Sequence, residues 1–205
     1  MKQTYFVTGI GTEVGKTVAS AILTEALEAD YWKPIQAGDL DNSDSHKVER
    51  LISNDKTVFH KNSFALKTPM SPHAAAEIDE VKITSKQIKR PKTENRLVIE
   101  GAGGLLVPIS DKETIADLIQ PEDHIILVSR HYLGSINHTL LTIEALKSRG
   151  LNCFGIIFSG EENKSTESII KKMSGVTVLG KIEQEPYFDQ NVIKEYAEIF
   201  REKLK

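Results

Sequence analysis

Short apolar runs alternate along the chain with longer segments in which apolar residues recur at helical spacing. Most of the short runs are continuously apolar, which is typical of strands covered on both faces of a sheet; they comprise residues 5–8, 31–35, 97–100, 125–128, 154–158 and 176–180. The segments with helical spacing comprise residues 17–28, 136–148, 164–173 and 191–203. This alternation predicts an α/β fold with a mostly parallel sheet and helices on both faces.

Residues 39–96 form a more polar region that the pattern does not divide into clear elements. The region contains an acidic segment at 39–46, the segment "TPMSPH" at 68–73 and a lysine-rich stretch at 82–92. Loops that follow the carboxyl ends of parallel strands usually hold the ligands of such folds. We therefore expect part of this region to contribute to a binding site.

Length and charge narrow the class of protein. A chain of 205 residues can bury one substantial core and is short for two, so we expect a single domain over residues 1–205. The net charge of −3 gives no electrostatic basis for binding nucleic acid or an anionic membrane. No apolar run approaches the roughly 20 residues that span a bilayer, and the N-terminus lacks a signal peptide's apolar core. We expect a cytoplasmic protein with a small-molecule ligand.

The segment "TGIGTEVGKT" at residues 8–17 has the order of a phosphate-binding loop, with a strand before it and a helix after it. The usual spacing is Gly, four residues, then Gly-Lys-Ser/Thr, but here Ile10 stands at the first Gly position, between Gly9 and Gly11. Backbone N–H groups and the positive end of the helix dipole would together bind an anion. The alternative is a tight turn without a ligand.

The end of this loop supplies two groups for a nucleotide. Lys16 can reach the β- and γ-phosphates, and the Thr17 hydroxyl is placed to bind Mg²⁺. Glu100 ends an apolar run just before "GAGG", and a carboxylate at a strand end beside a phosphate loop suits Mg²⁺. Taken alone, Glu100 could equally be a solvent-exposed residue before an ordinary turn.

Lys33 and Asp44 are weaker candidates when each is considered alone. Lys33 precedes Pro34, so we expect an extended backbone there, and its ammonium could stabilise a transferring phosphoryl group. The commoner outcome for such a lysine is a place on the surface. Asp44 is by default a turn residue, and it becomes a metal ligand only if its loop folds back over the phosphates.

Together these residues resemble the dethiobiotin synthetase family. The resemblance runs in order over about three quarters of the chain and rests on residues 5–20, 32–38, 42–45, 68–73, 98–110 and 133–142. The segments "TEVGKT" and "EGAGG" are the most specific, and members of the family share the one-residue departure from the usual loop spacing.

The resemblance implies a P-loop NTPase-type fold and a ligase that forms C–N bonds in biotin biosynthesis. Carbon dioxide, supplied as CO₂ or bicarbonate, adds to an amine of 7,8-diaminopelargonic acid to give a carbamate. ATP phosphorylates the carbamate, and the neighbouring amine displaces phosphate to form the cyclic urea of dethiobiotin. The implied co-substrate is ATP and the implied metal ion is Mg²⁺.

The resemblance also assigns roles to residues. Lys33 and Lys16 would be catalytic, and Thr17, Asp44 and Glu100 would hold Mg²⁺. The nucleotide would be bound by Thr12, Glu13, Val14, Gly15, Lys16, Thr17, Val18, Asp44, Glu100, Gly101, Ala102, Gly103, Ser159 and Gly160. The substrate would meet Ala37, Ser71, Pro72, Gly134, Ser135 and Asn137. The family is a homodimer with substrate at the interface, where residues 133–137 of the other subunit contact the substrate carboxylate.

The chain departs from the family pattern at three places. Ala37 stands where members usually have Ser or Thr, so a hydroxyl that faces the substrate is missing. Ser159 and Gly160 stand where the family has an Asn-Asp pair that recognises adenine. Glu183 stands where the family has a proline of a later nucleotide-binding loop. These changes leave open how the chain recognises the base.

Two other classes compete with this interpretation. A nucleotide-driven switch of the partition or cofactor-maturation type shares the fold, but it usually carries a second lysine early in the loop, where this chain has Gly11. A small-molecule kinase would need an acceptor hydroxyl site. Neither alternative gives a role to residues 71–73 or 133–137.

Overall fold

The computed structural model describes residues 3–204 and centres on a seven-stranded parallel sheet. Along the sheet the strands follow the order β4-β2-β6-β1-β7-β8-β9, and β3 and β5 form a separate parallel pair. The strands are β1 Thr4–Gly9, β2 Asp30–Trp32, β3 Ile35–Ala37, β4 Phe59–His60, β5 Phe64–Leu66, β6 Leu97–Gly104, β7 His124–Arg130, β8 Cys153–Ser159 and β9 Val178–Ile182. The helices are α1 Lys16–Leu27, α2 Asp44–Leu51, α3 Pro72–Ile78, α4 Ser135–Lys147, α5 Lys164–Ser174 and α6 Gln190–Arg201.

Helices cover both faces of the sheet, as the apolar pattern predicts. Side chains alternate between the faces along each strand. Tyr5 and Val7 of β1 pack in the core beneath α1 and α6, while Phe6 between them packs in the opposite core with residues of α3 and α4. Within residues 3–204, no helix has the length and apolar character needed to cross a membrane.

The predicted strand over residues 31–35 is wrong as a single element. β2 ends at Trp32, and the chain resumes as β3 in the separate sheet. Pro34 lacks the N–H that a ladder needs, and its carbonyl oxygen instead accepts hydrogen bonds from Ser63 N at 2.8 Å and Phe64 N at 3.1 Å. The break leaves Lys33 between the two sheets.

The polar region from 39 to 96 carries more regular structure than its pattern indicates. It contains α2, α3, β4 and β5. The two strands have only two and three residues, too few for a period to show, and α2 carries a single buried residue, Val48. The N-terminus of α2 is nevertheless capped, because the Ser43 hydroxyl accepts a hydrogen bond from His46 N.

Glu25 of α1 fixes the chain just after α2. It is 6% exposed, and its carboxylate accepts hydrogen bonds from the backbone N–H groups and side chains of both Ser53 and Asn54, at 2.7 to 3.1 Å. Burial would raise the pKa of Glu25, but these hydrogen bonds outweigh it and hold the pKa below its ordinary value. The contact joins α1, which follows the phosphate loop, to the segment that leaves α2.

We expect Glu25→Gln to lower the free energy of unfolding by about 1–3 kcal/mol at pH 7, because an amide NH₂ cannot accept these hydrogen bonds. The folded-state pKa lies below the unfolded one. The advantage of the wild type is therefore complete above the ordinary carboxyl pKa of about 4.3 and shrinks as the pH falls below it. Urea unfolding at pH 7 and below pH 4 measures both effects.

Glu28→Gln is the matched control. Glu28 lies at the end of the same helix, and its half-exposed side chain pairs with exposed Lys56, so Glu28→Gln should change stability little. Equal losses in the two variants, or a loss in Glu25→Gln that does not change with pH, would contradict the assignment.

Candidate active site

The loop from β1 to α1 has the backbone of an anion site. Glu13 and Gly15 adopt left-handed conformations, with φ of 57° and 92°, and α1 begins immediately afterwards at Lys16. Among the described residues, no side chain caps the N-terminus of α1, and its first turn holds no acidic residue. The first N–H groups of the helix are therefore available to a phosphate.

Close packing explains the shifted glycine of this loop. A Cβ at Gly9 would lie 2.6 Å from Val14 Cγ2, whereas a Cβ at Gly11 would meet nothing within 4 Å. The loop packs directly against Gly9, so a side chain is excluded at position 9. In the usual spacing the first glycine stands at position 10, which is Ile10 here. On its other side the loop contacts β8, since a Cβ at Gly15 would lie 2.9 Å from Ser159 Oγ.

Lys16 curls back over the loop. It is 7% exposed, and Nζ donates to Gly11 O at 2.9 Å. Burial, with a contribution from the nearby charge of Lys33, lowers the pKa of Lys16 to about 8. A bound phosphate would supply the counter-charge that this ammonium lacks.

Glu100 lies within β6 rather than at the end of the strand. The strand continues to Gly104, and Glu100 is 1% exposed, so the solvent-exposed alternative is wrong. Its Oε1 accepts hydrogen bonds from Thr17 Oγ1 at 3.0 Å and Lys33 Nζ at 3.1 Å. Its Oε2 accepts one from Tyr31 OH at 2.9 Å.

Lys33 is buried between two carboxylates. Its Nζ lies 2.7 Å from Asp44 Oδ2 and 3.1 Å from Glu100 Oε1, and it donates to Gly101 O at 3.0 Å. Burial alone would lower the pKa of Lys33, but Glu100 and Asp44 outweigh it and raise the pKa above its ordinary value. The ammonium is therefore charged, and the surface alternative for Lys33 is wrong.

Asp44 reaches the site because α2 begins there. Its backbone N–H donates to Gln36 Oε1 at 3.2 Å, which ties the start of α2 to β3. Burial would raise the pKa of Asp44, but the ammonium of Lys33 outweighs it and holds the pKa below its ordinary value. The acidic segment 39–46 thus folds back toward the phosphate loop, which is the condition for Asp44 to be a metal ligand.

The oxygen groups around Lys33 have the chemistry of a magnesium site. They are the Thr17 hydroxyl and the carboxylates of Asp44 and Glu100, all hard oxygen donors. In the described part of the chain, no group of three or more His, Cys, Asp or Glu residues could hold a metal ion. A set of two carboxylates and a hydroxyl suits Mg²⁺, which keeps several waters and binds nucleotide phosphates.

The other residues predicted to bind nucleotide lie in the phosphate loop, in the first turn of α1 and toward the carboxyl ends of β6 and β8. Gly103 has a φ of 67°, and a Cβ there would lie 3.6 Å from Thr12 Oγ1, so β6 ends against the loop. Val14 is buried, and Val18 and Ala102 are partly buried against the core. At the next strands, Gly160 N donates to Ile182 O at 2.9 Å, which joins the ends of β8 and β9.

The residues predicted to bind substrate fall into two groups. Ala37 ends β3, against which α3 packs, and Ser71 and Pro72 lie at the start of α3. Gly134 and the segment 135–137 lie at the start of α4, which follows β7. β6 and β1 separate β2 from β7 in the sheet, so one chain places the two groups on different sides of the loop.

Two side chains near the phosphate loop could not be identified from the sequence, those of Tyr31 and Arg130. The Tyr31 hydroxyl donates a hydrogen bond to Glu100, whereas the position of Tyr31 in an apolar run indicated only a core residue. Arg130, the last residue of β7, donates from Nη1 to Glu13 O at 3.1 Å and so contacts the phosphate loop. Only the strand register and the loop conformation bring these pairs together, and neither can be read from spacing.

An exposed apolar surface surrounds the start of α4. Leu133 is fully exposed, and Tyr132, Ile136, Leu141 and Met173 are also exposed. A groove of about 920 Å³ runs beside them, lined by residues 130–137 and 160–163 among others. Apolar surface of this kind is typical of interaction sites.

Comparison with solved structures supports the fold. The chain superposes on a ParA family ATPase from Chlorobium tepidum with a TM-score of 0.58 and 13% identity, covering 96% of this chain and 97% of that one. It also superposes on the cell division ATPase MinD of Pyrococcus furiosus with a TM-score of 0.58 and 14% identity, covering 100% of both chains. At these identities the likeness shows the P-loop NTPase-type fold alone.

Comparison of sequences shows the family. A family described as an AAA domain matches residues 3–192. The chain is 70% identical over 204 residues to the ATP-dependent dethiobiotin synthetase BioD of Christiangramia forsetii, covering 100% of this chain and 99% of that protein. It is 48% identical to the protein of the same name from Cytophaga hutchinsonii, covering 94% of each. The chain therefore belongs to the ATP-dependent dethiobiotin synthetase family.

Proposed function

We propose that this site forms dethiobiotin from 7,8-diaminopelargonic acid, carbon dioxide and ATP, with release of ADP and phosphate. The observation that carries the proposal is the buried ammonium of Lys33, held between Glu100 and Asp44 beside the phosphate loop. The chain's membership of the dethiobiotin synthetase family supports the choice of reaction.

The reaction has three steps. An amine of the substrate attacks CO₂ and loses a proton, which gives a carbamate. A carbamate oxygen then takes the γ-phosphoryl group, and ADP leaves. The neighbouring amine attacks the carbamate carbon, loses a proton and expels phosphate, which closes the cyclic urea. A carbamate is a poor electrophile until its oxygen has become part of a phosphate leaving group, so the energy of ATP is used at that oxygen.

The two lysines would stabilise the negative charge that develops in the second step. Lys16 would contact the phosphates, and Lys33 would contact the carbamate and the transferring group. Phosphoryl transfer depends mainly on positioning and on charge stabilisation, and a fixed ammonium in a site without water is effective at both. Lys33 is 4% exposed and keeps three oxygen partners, which supports this role.

Thr17, Asp44 and Glu100 would hold Mg²⁺. When bound, the ion neutralises charge on the β- and γ-phosphates of ATP. The contact between the Thr17 hydroxyl and the Glu100 carboxylate supports the assignment, because it places donors from the loop and from β6 side by side.

The loop from Thr12 to Val18, with the segment 101–103, would surround the phosphates. Ser159 and Gly160 lie beside the loop, at the edge where the base would be bound. A serine hydroxyl and a glycine offer fewer groups to the base than an Asn-Asp pair would. Recognition of the base would therefore rely more on backbone groups and on the shape of the adjoining groove.

The active form would be a homodimer. The start of α4 is suited to bind the substrate carboxylate, because among the described residues no side chain caps it and the N–H groups of Ile136 and Asn137 donate no hydrogen bond. A second copy could bring that N-terminus, with Ser135 and Asn137, toward Ala37 and the segment 71–72 of the first copy. The exposed apolar side chains around Leu133 support an interface there. Ala37 would contribute only backbone contacts.

The central prediction for activity is a strict dependence on both substrates. We expect conversion of ATP to ADP and phosphate to require 7,8-diaminopelargonic acid and bicarbonate together, with dethiobiotin formed in equal amount. Phosphate release and mass spectrometry of the product measure this. Turnover that does not depend on the diamine and rises with a protein or membrane partner would instead indicate a nucleotide-driven switch.

The second prediction concerns Lys33. We expect Lys33→Met to lower kcat by at least about 100-fold, because removal of one charge-stabilising donor costs this much in comparable sites. The affinity for ADP should stay largely unchanged, because Lys16 and the loop amides hold the phosphates. Steady-state kinetics and calorimetric titration with ADP separate the two effects.

Lys47→Met is the matched control for this variant. Lys47 also lies near Asp44, at 3.8 Å, but is partly exposed and bonds mainly to Asp39 at 2.8 Å. We expect it to retain most of the activity. A Lys33→Met enzyme as active as the Lys47→Met enzyme would show that Lys33 is not catalytic.

A further inference from the structure

Tyr31 makes a buried contact with the carboxylate that we assign to the metal ion. Tyr31 lies opposite Val98 in the parallel ladder of β2 and β6, two residues before Glu100. Both side chains are buried, and Tyr31 OH donates to Glu100 Oε2 at 2.9 Å. Nothing in the proposed reaction uses this hydroxyl.

The hydrogen bonds divide the two oxygens of Glu100 between different partners. Oε1 accepts from Thr17 and Lys33, the groups next to the phosphate loop. Oε2 accepts from Tyr31 alone among the described residues. The phenol therefore fixes the rotation of the carboxylate and occupies the oxygen that does not contact the loop.

This division affects which metal ion the site accepts. Mg²⁺ demands near-octahedral geometry and is usually bound by single carboxylate oxygens together with water, whereas the larger Ca²⁺ readily accepts both oxygens of one carboxylate. In Glu100 the oxygen Oε1 lies on the side of the phosphate loop, where the metal ion would be bound, whereas Oε2 is held by the buried phenol away from the loop. The carboxylate therefore turns only Oε1 toward the ion.

We propose that Tyr31 is a positioning residue that holds Glu100 Oε2, so that Glu100 offers Oε1 alone and the site favours Mg²⁺ over Ca²⁺. The proposal rests on the proposed role of Glu100 as a metal ligand. Tyr31 does not touch the reacting groups and acts only through the carboxylate. The aromatic ring of Phe59, 5.7 Å from that of Tyr31 between centroids, helps to fix the phenol.

The test is Tyr31→Phe, which keeps the ring and removes the hydroxyl. Calorimetric titration of the ADP-bound protein with Mg²⁺ and with Ca²⁺ needs no turnover. We expect the affinity for Mg²⁺ to fall by about tenfold or more, as for other groups that orient metal ligands. The affinity for Ca²⁺ should stay constant or rise, so the Mg²⁺ to Ca²⁺ preference falls.

Tyr5→Phe is the matched control. Tyr5 is equally buried on the neighbouring strand β1 and also lies opposite Val98, but its hydroxyl bonds to Gln3 and to Leu204 O. The control should keep the preference of the wild type. An unchanged preference in Tyr31→Phe, an equal loss for both ions, or the same change in Tyr5→Phe would overturn the proposal.

Infrared spectroscopy of the wild type gives a second test if Tyr31→Phe does not fold. The carboxylate band assigned to Glu100 by its loss in Glu100→Gln should keep, with Mg²⁺, a splitting above that of a carboxylate that chelates through both oxygens. The narrow splitting of a chelating carboxylate would overturn the proposal. Absence of Mg²⁺ binding to the wild-type ADP complex would instead refute the assigned metal site, and with it that part of the proposed function.

Discussion

The carboxyl edge of the sheet depends on one ammonium group buried between two carboxylates. Glu100 and Asp44 come from a central strand and from the start of a helix. Without Lys33 the charge of buried Glu100 would lie close to the like charge of Asp44, which is partly exposed. Removing one partner of a buried ion pair typically costs about 3–5 kcal/mol, because the charge that remains is uncompensated. Lys33 thus holds together the groups that a metal ion and a phosphate would later share.

Several features of the fold serve to place that ammonium. Pro34 ends β2 and turns the chain into a second sheet, so Lys33 sits at the break and its side chain reaches β6. Glu25 fastens the chain beyond α2, and Gln36 fastens its beginning at Asp44. Partly buried polar contacts therefore position α2 at both ends.

The sequence predicts some features of the fold and of the site better than others. The phosphate loop follows from local order, since strand, glycines and helix are contiguous, and the long central strands follow from their apolar runs. The burial of Lys33 and the placement of Glu100 within a longer strand do not, because both depend on neighbours distant in the chain. The hydroxyl of Tyr31 is the clearest case: only the register of β2 against β6 brings it to Glu100.

Lys33 and Glu100 form one electrostatic unit before any ligand binds. The direct measurement is a double-mutant cycle with Lys33→Met, Glu100→Gln and the double variant, using urea unfolding without nucleotide or metal. The double variant should lose less stability than the sum of the losses of the single variants, with a coupling free energy of about 2–3 kcal/mol. Losses that add to within about 0.5 kcal/mol would contradict it.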